Sequence, residues 1–133
     1  MKRTIFIVAA LISILLTSCG HSQPTTSINL SMTDFAYSPN QFVVPAGREI
    51  TLDIVNNGAV LHNFILMITG VSIDHGFDET DEKNIYWKIE LAPGESVSTS
   101  FMSPYEPGDY LIVCSTPGHY QAGMTGTLIV VAE

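Results

Sequence analysis

In Gly108-Asp109-Tyr110-Leu111-Ile112-Val113-Cys114-Ser115-Thr116-Pro117-Gly118-His119-Tyr120-Gln121-Ala122-Gly123-Met124 an alternating segment runs straight into a short loop rich in glycine and proline. Tyr110, Ile112 and Cys114 share one side of the extended chain, so the cysteine should face inward. The loop then spaces an imidazole and a thioether as Cys114-x4-His119-x4-Met124, and His62 upstream is available as a fourth ligand. A soft thiolate with two imidazoles and a weak axial thioether suits both Cu(I) and Cu(II), so little rearrangement accompanies a one-electron change. One copper ion, cycling between these states, is the expected cofactor.

The same alternation recurs upstream. Short apolar or alternating runs at 28–32, 41–44, 49–55, 63–68, 87–91, 96–102, 108–114 and 125–131 are separated by turn signals such as Pro39-Asn40, Pro45-Ala46-Gly47, Asn56-Asn57-Gly58, Pro93-Gly94 and Pro107-Gly108. Eight strands at this spacing predict an all-β, two-sheet sandwich. Leu52 and Ile54, and likewise Val97, Thr99 and Phe101, should point to one side of their strands. The long acidic segment from Gly70 to Tyr86 breaks the pattern and is expected to hold a short helix or a flap. With 133 residues, 46% of them apolar, the chain is large enough for one core and no more.

The N-terminus reads as an export signal. Lys2 and Arg3 precede an apolar run from Thr4 to Thr17, too short for a confident span but suited to a signal peptide. Leu16-Thr17-Ser18-Cys19 resembles the bacterial lipoprotein signal, which implies cleavage after residue 18 and lipidation of Cys19; the competing reading is a plain secretory peptide with an incidental cysteine. Two or more acyl chains give a stable anchor where one does not. Residues 19–27 then form a lipidated cysteine with a small, polar tether, and 28–133 a single domain held on the extracytoplasmic face of a bacterial membrane, periplasmic or at the cell surface. Cys114 is left without a disulfide partner, which commitment to a metal would explain.

Cleavage leaves Arg48, Lys83 and Lys88 against thirteen carboxylates, a net charge of about −10. Nucleic acid is excluded as a partner, since binding to phosphates rests on Lys and Arg. Asp74, Asp78, Glu79, Asp81 and Glu82 form the most acidic stretch, either a docking patch for a basic protein or a solvated loop.

A reactive thiol is the competing reading of Cys114, with His119 as its base. That assignment leaves Met124 unexplained, whereas its place between Gly123 and Thr125-Gly126 suits an axial ligand. Met32, Met67 and Met102 read as core or surface fillers. His62 in Leu61-His62-Asn63-Phe64 would be unremarkable without the C-terminal loop.

The loop from Cys114 to Met124, together with His62-Asn63, resembles the cupredoxin family across nearly the whole chain after the tether. The Pro-Gly-His-Tyr wording and the four-and-four spacing most resemble auracyanins, membrane-associated blue copper proteins of filamentous anoxygenic phototrophs. Plastocyanins have a shorter Cys-to-His loop and azurins a shorter His-to-Met loop. The resemblance implies an eight-stranded Greek-key sandwich with a mononuclear type 1 copper at one end, held by His62, Cys114, His119 and Met124. It further implies that Asn63 bonds across to the ligand loop beside Cys114, at Ser115. Azurins carry a glycine before the first histidine, where Leu61 stands here, so no fifth, carbonyl ligand is expected.

By the same resemblance the chain is a monomeric electron carrier and not an enzyme, docking through an apolar face around Pro117, Gly118, Tyr120 and Ala122 and passing electrons through the exposed edge of His119. Its donor and acceptor would be membrane redox proteins such as a quinol-oxidising complex and a photosynthetic reaction centre or oxidase. Multicopper catalysis would need further domains and histidine clusters, and a binuclear centre a second cysteine in the loop. A periplasmic or extracellular copper-delivery protein is the alternative, since methionine and histidine serve that role too.

Overall fold

The computed structural model describes residues 23–132, which form two β-sheets packed face to face. The expected signal peptide at 1–18, the lipidation site Cys19 and the start of the tether lie outside the described residues. Nine strands are present among the described residues: β1 Ser27–Thr33, β2 Ala36–Ser38, β3 Gln41–Pro45, β4 Glu49–Asn56, β5 His62–Met67, β6 Ile85–Leu91, β7 Ser96–Met102, β8 Gly108–Val113 and β9 Thr125–Val131. One sheet has the order β2-β1-β4-β7, the other β3-β9-β8-β5-β6. The β1–β4 and β3–β9 pairs are parallel and the rest antiparallel.

All eight expected strands are present, and β2 is an addition. It is three residues long and turns only Tyr37 inward, which is too little alternation to register as a strand. It returns on β1 through a two-residue hairpin, Thr33 facing Ala36, with Asp34-Phe35 at the tip. That tip lacks the Asn-Gly or Asp-Gly pair that usually announces such a turn.

The core lies where the alternating faces meet. Ile50, Leu52 and Ile54 of β4 stand opposite Phe101, Thr99 and Val97 of β7, and the β4 trio packs with Phe64, Leu66, Leu91, Ile112 and Leu128 of the facing sheet. Trp87 stacks on Phe101 with ring centroids 5.0 Å apart, joining β6 of one sheet to β7 of the other. Burying side chains of this size contributes about 1.5–3 kcal/mol each.

β5 does not alternate: every residue from His62 to Met67 is buried. It is flanked on both edges by β6 and β8, and its outer face is covered as well. Ile65, Met67 and Val113 form a second, smaller core with Ile73, against which Val71, Phe77 and Tyr120 pack. The acidic segment is thus seated on the sheet: it carries one 3-10 turn at Glu82–Asn84, and its last two residues, Ile85 and Tyr86, already open β6.

The tether ends earlier than expected. Thr25 N–H donates to Val43 O at 2.9 Å, Thr51 N–H donates to Thr26 O at 2.8 Å and Ser27 opens β1, so these three residues already belong to the sandwich.

Candidate metal centre

Three connections meet at one end of the sandwich: the β1–β2 turn, the β4–β5 loop and the long β8–β9 loop. Each is shaped by local chemistry. In the β8–β9 loop His119 N–H donates to Thr116 O at 3.0 Å, closing a turn with Pro117 second and Gly118 third at φ +84°. Proline fixes the second position and only glycine takes the positive φ of the third without strain, so Pro117-Gly118 delivers His119 back over the sheet. Met124 N–H then donates to His119 O at 2.9 Å, and Cys114 N–H to Met124 O at 3.3 Å, which draws all three residues of the loop together.

The β4–β5 loop is organised by Asn56, which is fully buried. Its amide donates to Val60 O and Leu91 O, both at 2.9 Å, and its carbonyl accepts from Gly58 N–H at 2.9 Å. His62 follows as the first residue of β5, also fully buried.

Cys114 stands just past the end of β8, facing inward and wholly buried, as its alternation predicts. Its Sγ lies 3.8 Å from His62 Nδ1 and 3.9 Å from His119 Nδ1. Ligand atoms of the three residues all fall within 4.8 Å of one another, and among the described residues no other group of histidines, cysteines and carboxylates converges in this way. Bonds of about 2.3 Å to sulfur and about 2.0 Å to nitrogen, opened to about 120°, span about 3.7 Å. The trio therefore fits around one metal ion. Both imidazoles turn the same nitrogen toward the sulfur, and Met124, with no exposed surface, belongs to the same buried cluster as Cys114.

The electrostatics suit a ligand set. Burial pushes the His119 imidazole below its ordinary value, and repulsion by His62 adds to this while Asp34 opposes it, so His119 keeps a free lone pair at neutral pH. Burial, with the charge of Cys114 adding to it, raises Tyr37 well above the usual phenol range, so its hydroxyl remains a donor.

Around the trio, Asn63 and Ser115 are tied twice: Asn63 Nδ2 donates to Ser115 Oγ at 2.7 Å, and Ser115 N–H donates to Asn63 Oδ1 at 2.8 Å. The Tyr37 hydroxyl donates to Asn63 O at 2.6 Å. Thr116 Oγ1 donates to Leu61 O at 2.8 Å. The cysteine is held from its own strand end and from β5 together, and such outer contacts orient ligands and tune the metal.

Two expectations about the surface are corrected. His119 is buried, 6% exposed, because the Phe35 ring lies against it with centroids 4.8 Å apart. Tyr120 does not join the exposed face; it turns under the acidic segment, packs beside Ile73 and donates its hydroxyl to Ile73 O at 2.9 Å. Pro117, Gly118 and Ala122 are exposed as expected, and Phe35, Val60 and Leu61 add exposed apolar surface from the neighbouring connections. Asp34, Phe35 and Tyr37 at this end were not legible as site residues: they come from a hairpin too short to be read as one.

Comparison with known proteins agrees with this geometry. The chain is 32% identical over 122 residues to auracyanin-B of Chloroflexus aurantiacus, a match covering 80% of this chain and 52% of that protein, so it spans about half of that relative's length. It is 32% identical over 126 residues to auracyanin-A of the same organism, covering 84% of this chain and 76% of that one. Its fold superposes on the dithionite-reduced auracyanin of the photosynthetic bacterium Roseiflexus castenholzii with a TM-score of 0.69 at 28% identity, covering 82% of this chain and 99% of that one. Residues 24–131 match the copper binding proteins of the plastocyanin/azurin family, and the chain belongs to that family.

Proposed function

We propose that this protein carries single electrons between membrane-associated redox proteins, using one copper that His62, Cys114, His119 and Met124 would hold. The observation that supports this most directly is the convergence of Cys114 Sγ with two histidine Nδ1 atoms at 3.8 and 3.9 Å, all three residues being buried. Copper, when bound, supplies a Cu(I)/Cu(II) couple suited to this ligand set. The chain's own residues do the rest. β5 and the β8–β9 loop fix the ligand positions, Asn63 and Ser115 brace the sulfur, and the core excludes water.

Docking would use the exposed apolar surface of Pro117, Gly118 and Ala122 together with Leu61. Small interfaces suit redox encounters because the partner must leave quickly. Lipidation at Cys19 would keep the domain near a quinol-oxidising complex and a photosynthetic reaction centre or oxidase. Long-range attraction between the acidic stretch and a basic partner would speed encounter.

The test is copper uptake by the domain starting at Ser22. One equivalent should give intense visible absorption from sulfur-to-copper charge transfer, bleached by ascorbate, and Cys114→Ser should abolish the colour while the strands stay folded. An equally coloured serine variant would sink the assignment.

A further inference from the structure

Two adjacent residues of the β1–β2 turn reach the two histidines from outside. Asp34 Oδ1 stands 3.0 Å from His62 Nε2, and the Phe35 ring packs against that of His119. Neither contact is incidental to its loop. Asp34 Oδ1 also accepts the Ala59 N–H at 3.0 Å, which fixes the carboxylate to the β4–β5 loop. Gly58 leaves the room they share: a Cβ there would overlap His62 Nε2 and stand 2.6 Å from Asp34 Oδ1. Phe35 sits at φ +70°, a left-handed conformation uncommon for aromatic residues, and the residue is 52% exposed. An exposed phenyl in that conformation gains little from the core; what it does is cover His119.

Resting on the copper assignment above, we propose that the Asp34-Phe35 turn is the outer positioning element of the metal centre, orienting one imidazole and sheltering the other. A carboxylate accepting from Nε2–H leaves the His62 Nδ1 lone pair aimed at the site beside Cys114, fixes the ring and makes it a stronger donor. The negative charge favours the more positive oxidation state. Phe35 acts in the opposite sense, because an apolar cover over His119 keeps water away and favours the less charged state. The two neighbours set the potential by opposed effects, and Phe35 becomes the outermost group through which a partner meets the buried His119.

Opposed signs distinguish positioning from simple loosening. Asp34→Asn keeps the shape but removes the charge; it should weaken Cu(II) relative to Cu(I) about tenfold, at the low end for such outer contacts because Asp34 is partly solvated, raising the potential by about 59 mV. Gly58→Ala should raise it too, with the carboxylate still present. Phe35→Ala should lower the potential by about half as much, roughly a threefold change in the same ratio. Shifts of the same sign in Asp34→Asn and Phe35→Ala, or none in either while the parent is coloured, overturn the proposal.

The metal-free protein gives a readout independent of copper. At a pH where imidazoles are neutral, nitrogen NMR should find the His62 proton on Nε2 in the parent and distributed over both nitrogens in Asp34→Ala. A parent with the proton on Nδ1 overturns the orienting role whether or not the site takes up copper, whereas a parent that stays colourless with copper refutes the copper assignment itself.

Discussion

Replacing Asn63 by alanine should expose how much of the centre's rigidity resides in one pair of residues. Two hydrogen bonds vanish, Asn63 Nδ2 to Ser115 Oγ at 2.7 Å and Ser115 N–H to Asn63 Oδ1 at 2.8 Å. Each is worth about 1 kcal/mol net, and a Ser115 N–H left only partly reachable by water adds a further penalty, giving a loss of about 2–3 kcal/mol. Tyr37 is a control within the same residue, because its hydroxyl donates to the Asn63 main-chain carbonyl, which the substitution keeps. For a domain of roughly 110 residues, about 4 °C of melting temperature accompanies each kcal/mol, so the metal-free variant should melt roughly 10 °C lower under reducing conditions. Ser115→Ala removes only the bond to Oγ and should cost about half as much. The double variant should lose less than the sum, since both substitutions remove that bond. With copper bound, Asn63→Ala should also weaken the visible band, because Cys114 loses the brace on its neighbour. A melting point within about 2 °C of the parent and an unchanged spectrum would refute the bracing role.

Met124→Gln should lower the reduction potential and Met124→Leu raise it, as expected of an axial ligand that tunes this type of centre; cyclic voltammetry on the purified domain gives the sign, and identical potentials in both would remove Met124 from the ligand set. The bimolecular electron-transfer rate should fall as salt shortens the Debye length from about 10 Å at 0.1 M to about 3 Å at 1 M. Neutralising Asp78, Glu79, Asp81 and Glu82 together should flatten that slope in stopped-flow measurements, and a full slope in the variant would leave the stretch as a covering segment only. Cys19→Ser should release the protein from membranes or leave its signal peptide uncleaved, followed by fractionation and intact mass; unchanged membrane association with normal cleavage elsewhere would contradict the anchor.

The sequence by itself carried the sandwich and the ligands, because both are written in local patterns. Period-two alternation along β4, β7 and β8 reports which side is buried whatever the strand pairs with, and the spacing of Cys114, His119 and Met124 within one loop is set by the chain itself. Pro117-Gly118 likewise encodes its own turn, with the positive φ that Gly118 adopts. What only the tertiary structure decided depends on surfaces meeting across long separations. The acidic segment is seated on the outer face of β5 because Ile65, Met67 and Val113 need cover, and Tyr120 follows them inward rather than facing a partner. The short hairpin that brings Asp34 to His62 and Phe35 to His119 has too few residues for alternation to reveal it, and its contacts span loops 28 residues apart in the first case and far more in the second. Periodicity shows that a side chain is buried; only packing shows what it is buried against, and here that difference separates the ligands from the residues that hold them.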